Sequence, residues 1–346
     1  MATNTASRFL KVLNGEPQSP VPVWMMRQAG RHLPEYLELR SRAKDFLDFC
    51  YSPSMAAEAT LQPIRRYDMD AAILFADILL VLDALDLDVR FEKGIGPIVQ
   101  TVDTGHELGE VPTEKAVQRL SPVYETVSRV RDALADDKAL IGFCGAPWTV
   151  ALYAIEGRGG TDKSSARIWA YQKPEALNRL LEDLVEVSAH YLAEQVRAGA
   201  DALMLFESWA EGLPADVFQQ IVIKPNASLV RRLRELGVTV PIIGFPRGAG
   251  TVLPTYANQV AVNAVALDTA IDPDFVNSAL PVDLPVQGHL DPLLLIAGGQ
   301  AMEDRVRYLM DAYSGRPHIF NLGHGVRPET PIAHVERVVE ILREGK

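Results

Sequence analysis

One stretch near the N-terminus is the most informative about fold and function: Pro22-Val23-Trp24-Met25-Met26-Arg27-Gln28-Ala29-Gly30-Arg31-His32-Leu33-Pro34-Glu35-Tyr36. Its apolar first part ends abruptly in two arginines, Arg27 and Arg31. An arginine guanidinium is a planar, permanently charged fork that binds carboxylate or phosphate through two hydrogen bonds. Two such forks at the end of a buried strand predict a receptor for an acidic ligand. The alternative is that both are surface residues that are solvated or pair with the nearby Glu35 and Glu38.

Length and composition place the chain among ordinary soluble globular proteins. Its 346 residues suffice for a large core, and hydrophobic and charged residues make up 48% and 23% of them. No apolar run is long enough to span a bilayer, and the N-terminus lacks the pattern of a signal peptide. The two isolated cysteines, Cys50 and Cys144, form no disulfide framework, so we expect a reducing, cytoplasmic setting.

The net charge of −11 argues against nucleic acid as a partner, because phosphate binding needs a basic surface. The same charge repels acidic ligands at long range. If the ligand is acidic, its attraction must come from a few arginines inside a cleft that salt screens poorly.

Eight short apolar runs recur along the chain, each bounded by turn or polar residues, as is typical of buried parallel strands. The runs are 21–26, 71–76, 139–144, 202–206, 240–245, 261–267, 284–287 and 318–322. Amphipathic stretches between them predict helices at 174–198, at 216–236 with a break at Pro225, and at 251–258, 291–298, 300–313 and 330–343. Eight strands alternating with helices favour a single-domain (β/α)8 TIM barrel over residues 1–346. A doubly wound open sheet is the alternative, weakened because no Gly-x-Gly-x-x-Gly links a strand to a helix.

The segment 81–113 fits neither pattern. Leucines and other apolar residues alternate there with acids and lead into the turn Lys93-Gly94-Ile95-Gly96-Pro97. We expect a hairpin that caps one end of the barrel. No linker marks a second domain.

Polar or reactive residues follow nearly every predicted strand, where the active site of such a barrel lies. They are Arg27 with Arg31, Asp77, Gly145 to Trp148, Glu207 with Ser208, Arg247, Asp268, His289 and His324. This convergence predicts an active site.

Three of the candidates keep an alternative interpretation. Asp77, flanked by aliphatic residues, either faces a ligand with N–H donors or caps the helix after its strand. The aromatic residues after the third run, Trp148 and Tyr153, line a flat pocket or belong to the core. His324 lies between two glycines, which favours exposure to a cleft over a structural role. Scattered histidines and isolated cysteines predict no metal site.

Several motifs together resemble the uroporphyrinogen decarboxylase family, over almost the whole chain. The first signature is Pro22-Val23-Trp24-Met25-Met26-Arg27-Gln28-Ala29-Gly30-Arg31, and the second is Gly142-Phe143-Cys144-Gly145-Ala146-Pro147-Trp148-Thr149. Further matches are Leu61-Gln62-Pro63-Ile64-Arg65-Arg66, Asp77-Ile78-Leu79, Phe206-Glu207-Ser208 and Asn321-Leu322-Gly323-His324-Gly325.

This resemblance implies a single-domain (β/α)8 barrel that works without cofactor or metal, usually as a homodimer. The implied reaction removes carbon dioxide from the four acetate side chains of uroporphyrinogen III and yields coproporphyrinogen III on the haem and chlorophyll route. A substrate with eight carboxylates and four pyrrole N–H groups fits an arginine pair beside one carboxylate on an apolar floor.

By resemblance, Asp77 accepts the pyrrole N–H bonds, while Arg27, Arg31 and His324 handle carboxylates and protons. Tyr153 and Ser208 match positions that touch the substrate. The apolar walls are implied to include Tyr36 and Phe143. Protonation of a pyrrole carbon supplies the electron sink, which Asp77 stabilises. The proton comes either from Arg27 or from a water molecule held by Arg27 or His324.

At three positions the chain departs from the family pattern, so no catalytic role is carried over to them: His289, where many relatives have asparagine, Arg247, which only some share, and Trp209, where others have histidine. Two other functions stay open. A zinc-dependent methyltransferase of the same superfamily would need a His-x-Cys pair, which this chain lacks. A non-catalytic tetrapyrrole-binding protein is disfavoured by the joint presence of the acid, both arginines and the tyrosine.

Overall fold

The computed structural model describes residues 7–92, 94–103 and 107–344. Its strands are β1 (Ala71–Ile73), β2 (Val89–Glu92), β3 (Gly96–Val99), β4 (Ala139–Gly145), β5 (Ala202–Glu207), β6 (Ile242–Pro246), β7 (Ala264–Ala266), β8 (Val286–Gln287) and β9 (His318–Ile319). Its helices are α1 (Arg8–Leu13), α2 (Pro34–Arg40), α3 (Phe46–Cys50), α4 (Pro53–Tyr67), α5 (Leu80–Ala84), α6 (Thr113–Arg119), α7 (Ser121–Ala133), α8 (Pro147–Glu156), α9 (Ser164–Gln172), α10 (Pro174–Arg197), α11 (Ala215–Phe218), α12 (Lys224–Glu235), α13 (Leu253–Val260), α14 (Pro273–Ala279), α15 (Pro292–Ala297), α16 (Gly299–Ala312) and α17 (Ile332–Glu344).

Seven strands form one parallel sheet in the order β1-β4-β5-β6-β7-β8-β9, with helices around it. All of these strands are fully buried, which explains why they read as continuous apolar runs. The predicted TIM-barrel-like α/β fold is thus confirmed, with strand bounds within a few residues of the expected ones.

The first predicted strand, 21–26, closes the barrel without forming a regular strand. Val23 makes a single parallel bridge to Phe320 on one side, and its carbonyl accepts the N–H of Asp70 at 2.8 Å on the other. Pro20 and Pro22 carry no N–H, and the N–H of Val23 donates to the Asp70 carboxylate instead of to a neighbouring strand. The run therefore has too few free donors for a continuous ladder.

The predicted helices are present with shifted ends. The helix expected at 216–236 is broken before Pro225, because a π-helical turn at Gln219–Ile223 separates α11 from α12. The expected hairpin is also present as β2 and β3, which pair antiparallel with Val89 opposite Val99. Its turn residue Lys93 lies outside the described part of the chain.

The hairpin packs on the segment after α8, where the N–H of Val99 donates to the carbonyl of Gly157 at 2.7 Å. Across the described ranges, no helix combines the length and apolar character that a membrane span requires.

Candidate active site

The predicted site residues lie beyond the carboxyl ends of the barrel strands, and the charge of one arginine reaches several of them. Asp77, Tyr153 and His324 each have a pKa set first by burial and then lowered by the positive charge of Arg27. Three side chains from distant parts of the sequence therefore lie within the electrostatic reach of one guanidinium.

The turn that carries Arg27 is held in a left-handed backbone conformation, with φ of 60°. For a residue other than glycine this conformation costs roughly 1–2 kcal/mol, so neighbouring bonds must enforce it. The buried Gln28 side chain accepts the N–H of Met25 at 3.0 Å, and Asn321 Oδ1 accepts the N–H of Met26 at 3.0 Å. These two amides fix the direction in which Arg27 leaves the strand.

Arg27 also lies flat against the backbone of Gly325. A Cβ atom at Gly325 would stand 2.4 Å from Cδ of Arg27 and 2.8 Å from its Cγ. Only glycine leaves room for the arginine at this point. The glycine after His324 thus supports the arginine rather than the histidine.

Neither predicted arginine is engaged by an acidic partner. Arg27 and Arg31 are exposed, and neither makes an ion pair within residues 7–92, 94–103 and 107–344. Glu35 is instead bound through two hydrogen bonds, 2.7 and 2.9 Å, to Arg66, and Glu38 pairs with the arginine four residues later. The alternative that these glutamates pair with the arginines is therefore wrong, and both arginines are exposed without an acidic partner in the described ranges.

Asp77 lies four residues beyond the end of β1. Its Oδ1 accepts the N–H of Leu79 at 2.9 Å, which forms a short turn ahead of α5, but the helix itself begins with Leu79 as its capping position. Burial raises the pKa of Asp77 to about 6, against the lowering effects of that N–H and of Arg27. Among the described residues no hydrogen bond to Oδ2 is formed, so this oxygen is open to ligand N–H groups.

His324 is half-buried and neutral in the free protein. Burial first, and then the charges of Arg27 and Arg247, lower the pKa of His324 to about 4. Its Nδ1 is buried without a hydrogen-bond partner in the described structure. A polar nitrogen left unsatisfied next to two cations is ready to bind an acidic group or water.

Tyr153, Ser208, Phe143 and Tyr36 complete the walls. The Tyr153 ring meets Trp209 edge-on at 6.4 Å, and burial raises the pKa of its hydroxyl. Ser208 follows β5 directly and is half-buried. Phe143 and Tyr36 are 7% and 5% exposed, so they form the apolar backing of the cleft rather than polar contacts.

Three polar residues at strand ends serve the scaffold instead of the cleft. Glu207 is fully buried and accepts hydrogen bonds from Thr149 N–H at 2.7 Å and Asn226 Nδ2 at 3.0 Å; burial raises its pKa to about 7. Asp268 accepts two loop N–H groups, at 2.8 and 2.9 Å.

His289 is likewise part of the scaffold. It is buried against the Tyr313 hydroxyl at 2.9 Å, and burial lowers its pKa to about 4. Cys144 is buried as well, and burial raises the pKa of its thiol, as expected for an inert cysteine.

Sequence reasoning does not find two kinds of residue near the site. Gln28 and Asn321 were part of recognised motifs, but nothing in their spacing showed that their amides clamp the Arg27 turn. Lys163 and Glu211 lie in loops without a motif, and only their positions after α8 and β5 link them to the site. Within the described ranges, no three His, Cys, Asp or Glu side chains form a group that could hold a metal ion.

Comparison with known proteins gives near-full-length matches. A family model described as "Uroporphyrinogen decarboxylase (URO-D)" matches residues 4–345. The uroporphyrinogen decarboxylase of Hyphomonas neptunium is 64% identical over 343 residues, 99% of both chains. The uroporphyrinogen decarboxylase of Maricaulis maris is 51% identical over 340 residues, 98% of both chains.

Solved structures share the fold at low sequence identity. A methyltransferase from Methanosarcina mazei has a TM-score of 0.81 over 99% of both chains, at 19% identity. A putative vitamin B12-independent methionine synthase from Listeria monocytogenes has a TM-score of 0.53 at 13% identity, over 95% of this chain and 98% of that one. Identities this low establish architecture alone. The family follows from the near-full-length sequence matches: this chain belongs to the uroporphyrinogen decarboxylase family.

Proposed function

We propose that this protein is a uroporphyrinogen III decarboxylase, which removes the four acetate carboxylates of its substrate as carbon dioxide and releases coproporphyrinogen III in tetrapyrrole (haem and chlorophyll) biosynthesis. The observation that carries the proposal is one carboxylate with a free oxygen, Asp77, within reach of the charge of Arg27, while Arg27 and Arg31 both lack an acidic partner among the described residues. The substrate's eight carboxylates match the arginines, and its four pyrrole N–H groups match the acid.

Asp77 is the central catalytic residue of the proposal. With a pKa of about 6 it is ionised at neutral pH, so its oxygens accept pyrrole N–H bonds. Protonation of the pyrrole makes that ring cationic, and a carboxylate held in a poorly solvated cleft stabilises the new charge more strongly than water does.

The pyrrole ring serves as the electron sink, so the chemistry runs through the substrate and the residues of the cleft. A proton adds to the pyrrole α-carbon adjacent to the ring carbon that bears the acetate, which leaves the acetate-bearing carbon electron-poor. The bond between the acetate methylene and its carboxyl carbon then breaks, and its electron pair flows into the cationic ring as carbon dioxide leaves. A second proton on the methylene carbon makes the methyl group, and loss of the ring proton restores the pyrrole.

We assign these protons to a water molecule held between Arg27 and His324. Arginine, with a pKa above about 12, stays charged, and neutral water is a weaker acid still, so the proton comes from bulk solvent and is relayed to the reacting carbon through the bound water. His324 carries no extra proton at pH 7, since its pKa is lowered to about 4. Both side chains can nevertheless orient water beside the reacting carbon, within the field of the Arg27 charge.

The remaining predicted residues bind and shape the substrate in this proposal. Arg31 binds a peripheral carboxylate, and the Tyr153 and Ser208 hydroxyls donate to substrate oxygens. The apolar faces of Phe143 and Tyr36 exclude water from the macrocycle, which strengthens the charge interactions at Asp77. No cofactor enters the proposed cycle.

The test is incubation with freshly reduced uroporphyrinogen III under anaerobic conditions, followed by oxidation and separation of the porphyrins by carboxyl number. The expected products are the seven-, six-, five- and four-carboxyl series. If the eight-carboxyl porphyrin alone is recovered while the protein remains folded, the proposed activity is wrong.

A methyltransferase activity is the second candidate, because the Methanosarcina mazei structure with a similar fold is called a methyltransferase. The sequence identity of 19%, against 64% for the Hyphomonas neptunium decarboxylase, favours the decarboxylase. A methyl-transfer assay on the same preparation distinguishes the two.

We further propose that the whole chain is one barrel domain and that it acts as a cytoplasmic homodimer. The family resemblance and the lack of a disulfide framework support these proposals. Light scattering coupled to gel filtration tests the dimer, and a single-chain mass would contradict it.

A further inference from the structure

Three charged side chains meet around Trp209, a residue for which the family pattern gave no role. Lys163, in the loop between α8 and α9, places its ammonium 4.3 Å from the centre of the Trp209 ring and forms an ion pair with Glu211. Arg247, directly after β6, lies over the same ring at 6.0 Å and reaches Oε2 of Glu211 at 3.3 Å. One carboxylate thus bridges two cations from different loops.

This cluster borders the cleft on two sides. Trp209 contacts Tyr153 edge-on at 6.4 Å, which places the cluster beside the substrate-facing tyrosine. On the other side, Arg247 and Glu211 both act electrostatically on His324. Lys163, Glu211 and Arg247 therefore lie on the rim of the cleft, between these two residues.

The ion pair between Glu211 and Arg247 is weak enough for a ligand carboxylate to replace Glu211. The side chains of Glu211 and Arg247 are 36% and 31% exposed, and ion pairs at such exposure stabilise a fold by only about 0–1 kcal/mol. Arg247 is also held by a second bond, from its Nη1 to the carbonyl of Ser208 at 3.0 Å. If Glu211 moves away, Arg247 stays oriented toward the place that the carboxylate leaves.

We propose that Lys163 and Arg247 form a further carboxylate-binding subsite on the rim, and that Glu211 occupies it in the free enzyme as a substitute for a substrate carboxylate. A peripheral carboxylate of the substrate displaces Glu211 and makes the same two contacts, over the face of Trp209. This inference rests on the proposed function and deepens it, since it names the residues that bind the side chains remote from Arg27 and Arg31.

The direction in which KM changes in one variant shows whether the substrate displaces Glu211 or whether Glu211 holds the loop closed over the cleft. In Glu211→Gln, which keeps the shape of the side chain and removes its charge, the substrate meets less competition. The KM for uroporphyrinogen is expected to fall at least about threefold with kcat unchanged, because the substrate no longer competes with the two ion pairs of Glu211, of which the one with Arg247 is partly exposed and the one with Lys163 is more buried. A latch that closes the loop over the cleft would instead make KM rise.

Two further variants test the subsite from its cationic side. Arg247→Gln and Lys163→Gln should raise KM about tenfold each through the loss of a charge-assisted hydrogen bond, with little change in kcat. Glu186→Gln is the matched control, because Glu186 also forms a partly exposed ion pair with an arginine, Arg232, on two helices outside the cleft. Its KM should equal that of the wild type.

Binding of oxidised uroporphyrin, followed by quenching of tryptophan fluorescence, gives a readout that does not require turnover. Failure of the wild type to decarboxylate uroporphyrinogen would overturn the proposed function, whereas the ratio of Glu211→Gln to wild-type affinity tests the subsite. Tighter binding by Glu211→Gln supports the subsite. Equal or weaker binding, or a raised KM, overturns it.

Discussion

The two ends of the barrel treat charge in opposite ways. At the amino-terminal end, the buried Asp70 accepts a backbone N–H at 2.8 Å and pairs with Arg8 at 2.8 Å and Arg343 at 2.9 Å. Asp201, just before β5, likewise accepts a backbone N–H at 2.8 Å and pairs with Arg131 at 2.7 Å. These acids hold the strand starts together, and their hydrogen-bonding capacity is largely used.

At the carboxyl end, charge is left available. Arg27 and Arg31 have no ion pair among the described residues, Asp77 uses one oxygen, and Nδ1 of His324 has no partner. The acids at the amino-terminal end are paired, whereas the arginines at the carboxyl end have no partner. This difference indicates that a ligand binds at the carboxyl end. The contrast can be tested by exchanging acids for amides at both ends.

The largest effect is expected for Asp77→Asn. Turnover should fall by at least about 10³-fold, since the variant cannot stabilise the cationic ring with a full charge. Its stability at pH 7.5 should equal or exceed that of the wild type. The pKa of Asp77 in the folded wild type, about 6, lies above the ordinary value of an aspartate. Asp77 therefore stabilises the wild-type fold at low pH, and this contribution is lost as the pH rises through about 6. Thermal melting and turnover, measured together, check both expectations.

Gly325→Ala should disrupt the site at the carboxyl end of the barrel without changing any charged residue. The added Cβ would stand 2.4 Å from Cδ of Arg27, so the arginine must move away. We expect turnover to fall about 10²-fold, as for other small misplacements of a positioning group. Gly315→Ala is the control, because a Cβ there meets no atom within 4 Å, and it should retain full activity. Equal activities of the two variants would contradict the role assigned to Gly325.

Asp70→Asn should give the reverse of Asp77→Asn. Loss of the charge that holds Arg8 and Arg343 is expected to cost about 2 kcal/mol in the free energy of unfolding. The kcat of the folded fraction should stay unchanged, since Asp70 lies at the opposite end of the strands from Asp77. Denaturant titration and active-site-normalised turnover measure these two quantities. A loss of kcat at full folding would show that the ends are not separate.

The smallest expected effect is the dependence of turnover on pH. Turnover at low substrate concentration should rise about tenfold per pH unit below pH 6 and level off above it, as Asp77 with its pKa of about 6 becomes ionised. The groups that face Asp77 are Arg27, which stays charged, and Tyr153, whose pKa burial raises. A profile that is flat between about pH 5 and 7 would argue against an ionised Asp77 as the active form.

Much of this arrangement could be predicted from the sequence, for a physical reason. Buried parallel strands contain little besides apolar residues, so their ends are marked by the first polar residue. Arg27, Asp77 and His324 were found in this way, and the barrel placed them together. The first run is predicted as a strand like the others, but it makes only a bridge, because Pro22 has no N–H and the N–H of Val23 donates to the Asp70 carboxylate.

Position at a strand end could not tell which polar residue faces a ligand. Glu207 and His289 lie at strand ends just as Ser208 and His324 do, yet both side chains point into the scaffold and form hydrogen bonds there. A residue shifted by one position along a strand points to the opposite side, and apolar spacing does not resolve such a shift at the last residue. The clamp formed by Gln28 and Asn321 joins positions almost three hundred residues apart, which local pattern cannot reveal.

The central claim is that the open end of the barrel decarboxylates a poly-acid around Asp77. The most direct measurement is a single-turnover incubation of wild type and Asp77→Asn with uroporphyrinogen III under anaerobic conditions, with the porphyrins separated by carboxyl number. The account predicts the seven- to four-carboxyl series for the wild type and only the eight-carboxyl porphyrin for the variant. Near-normal product formation by Asp77→Asn would contradict it.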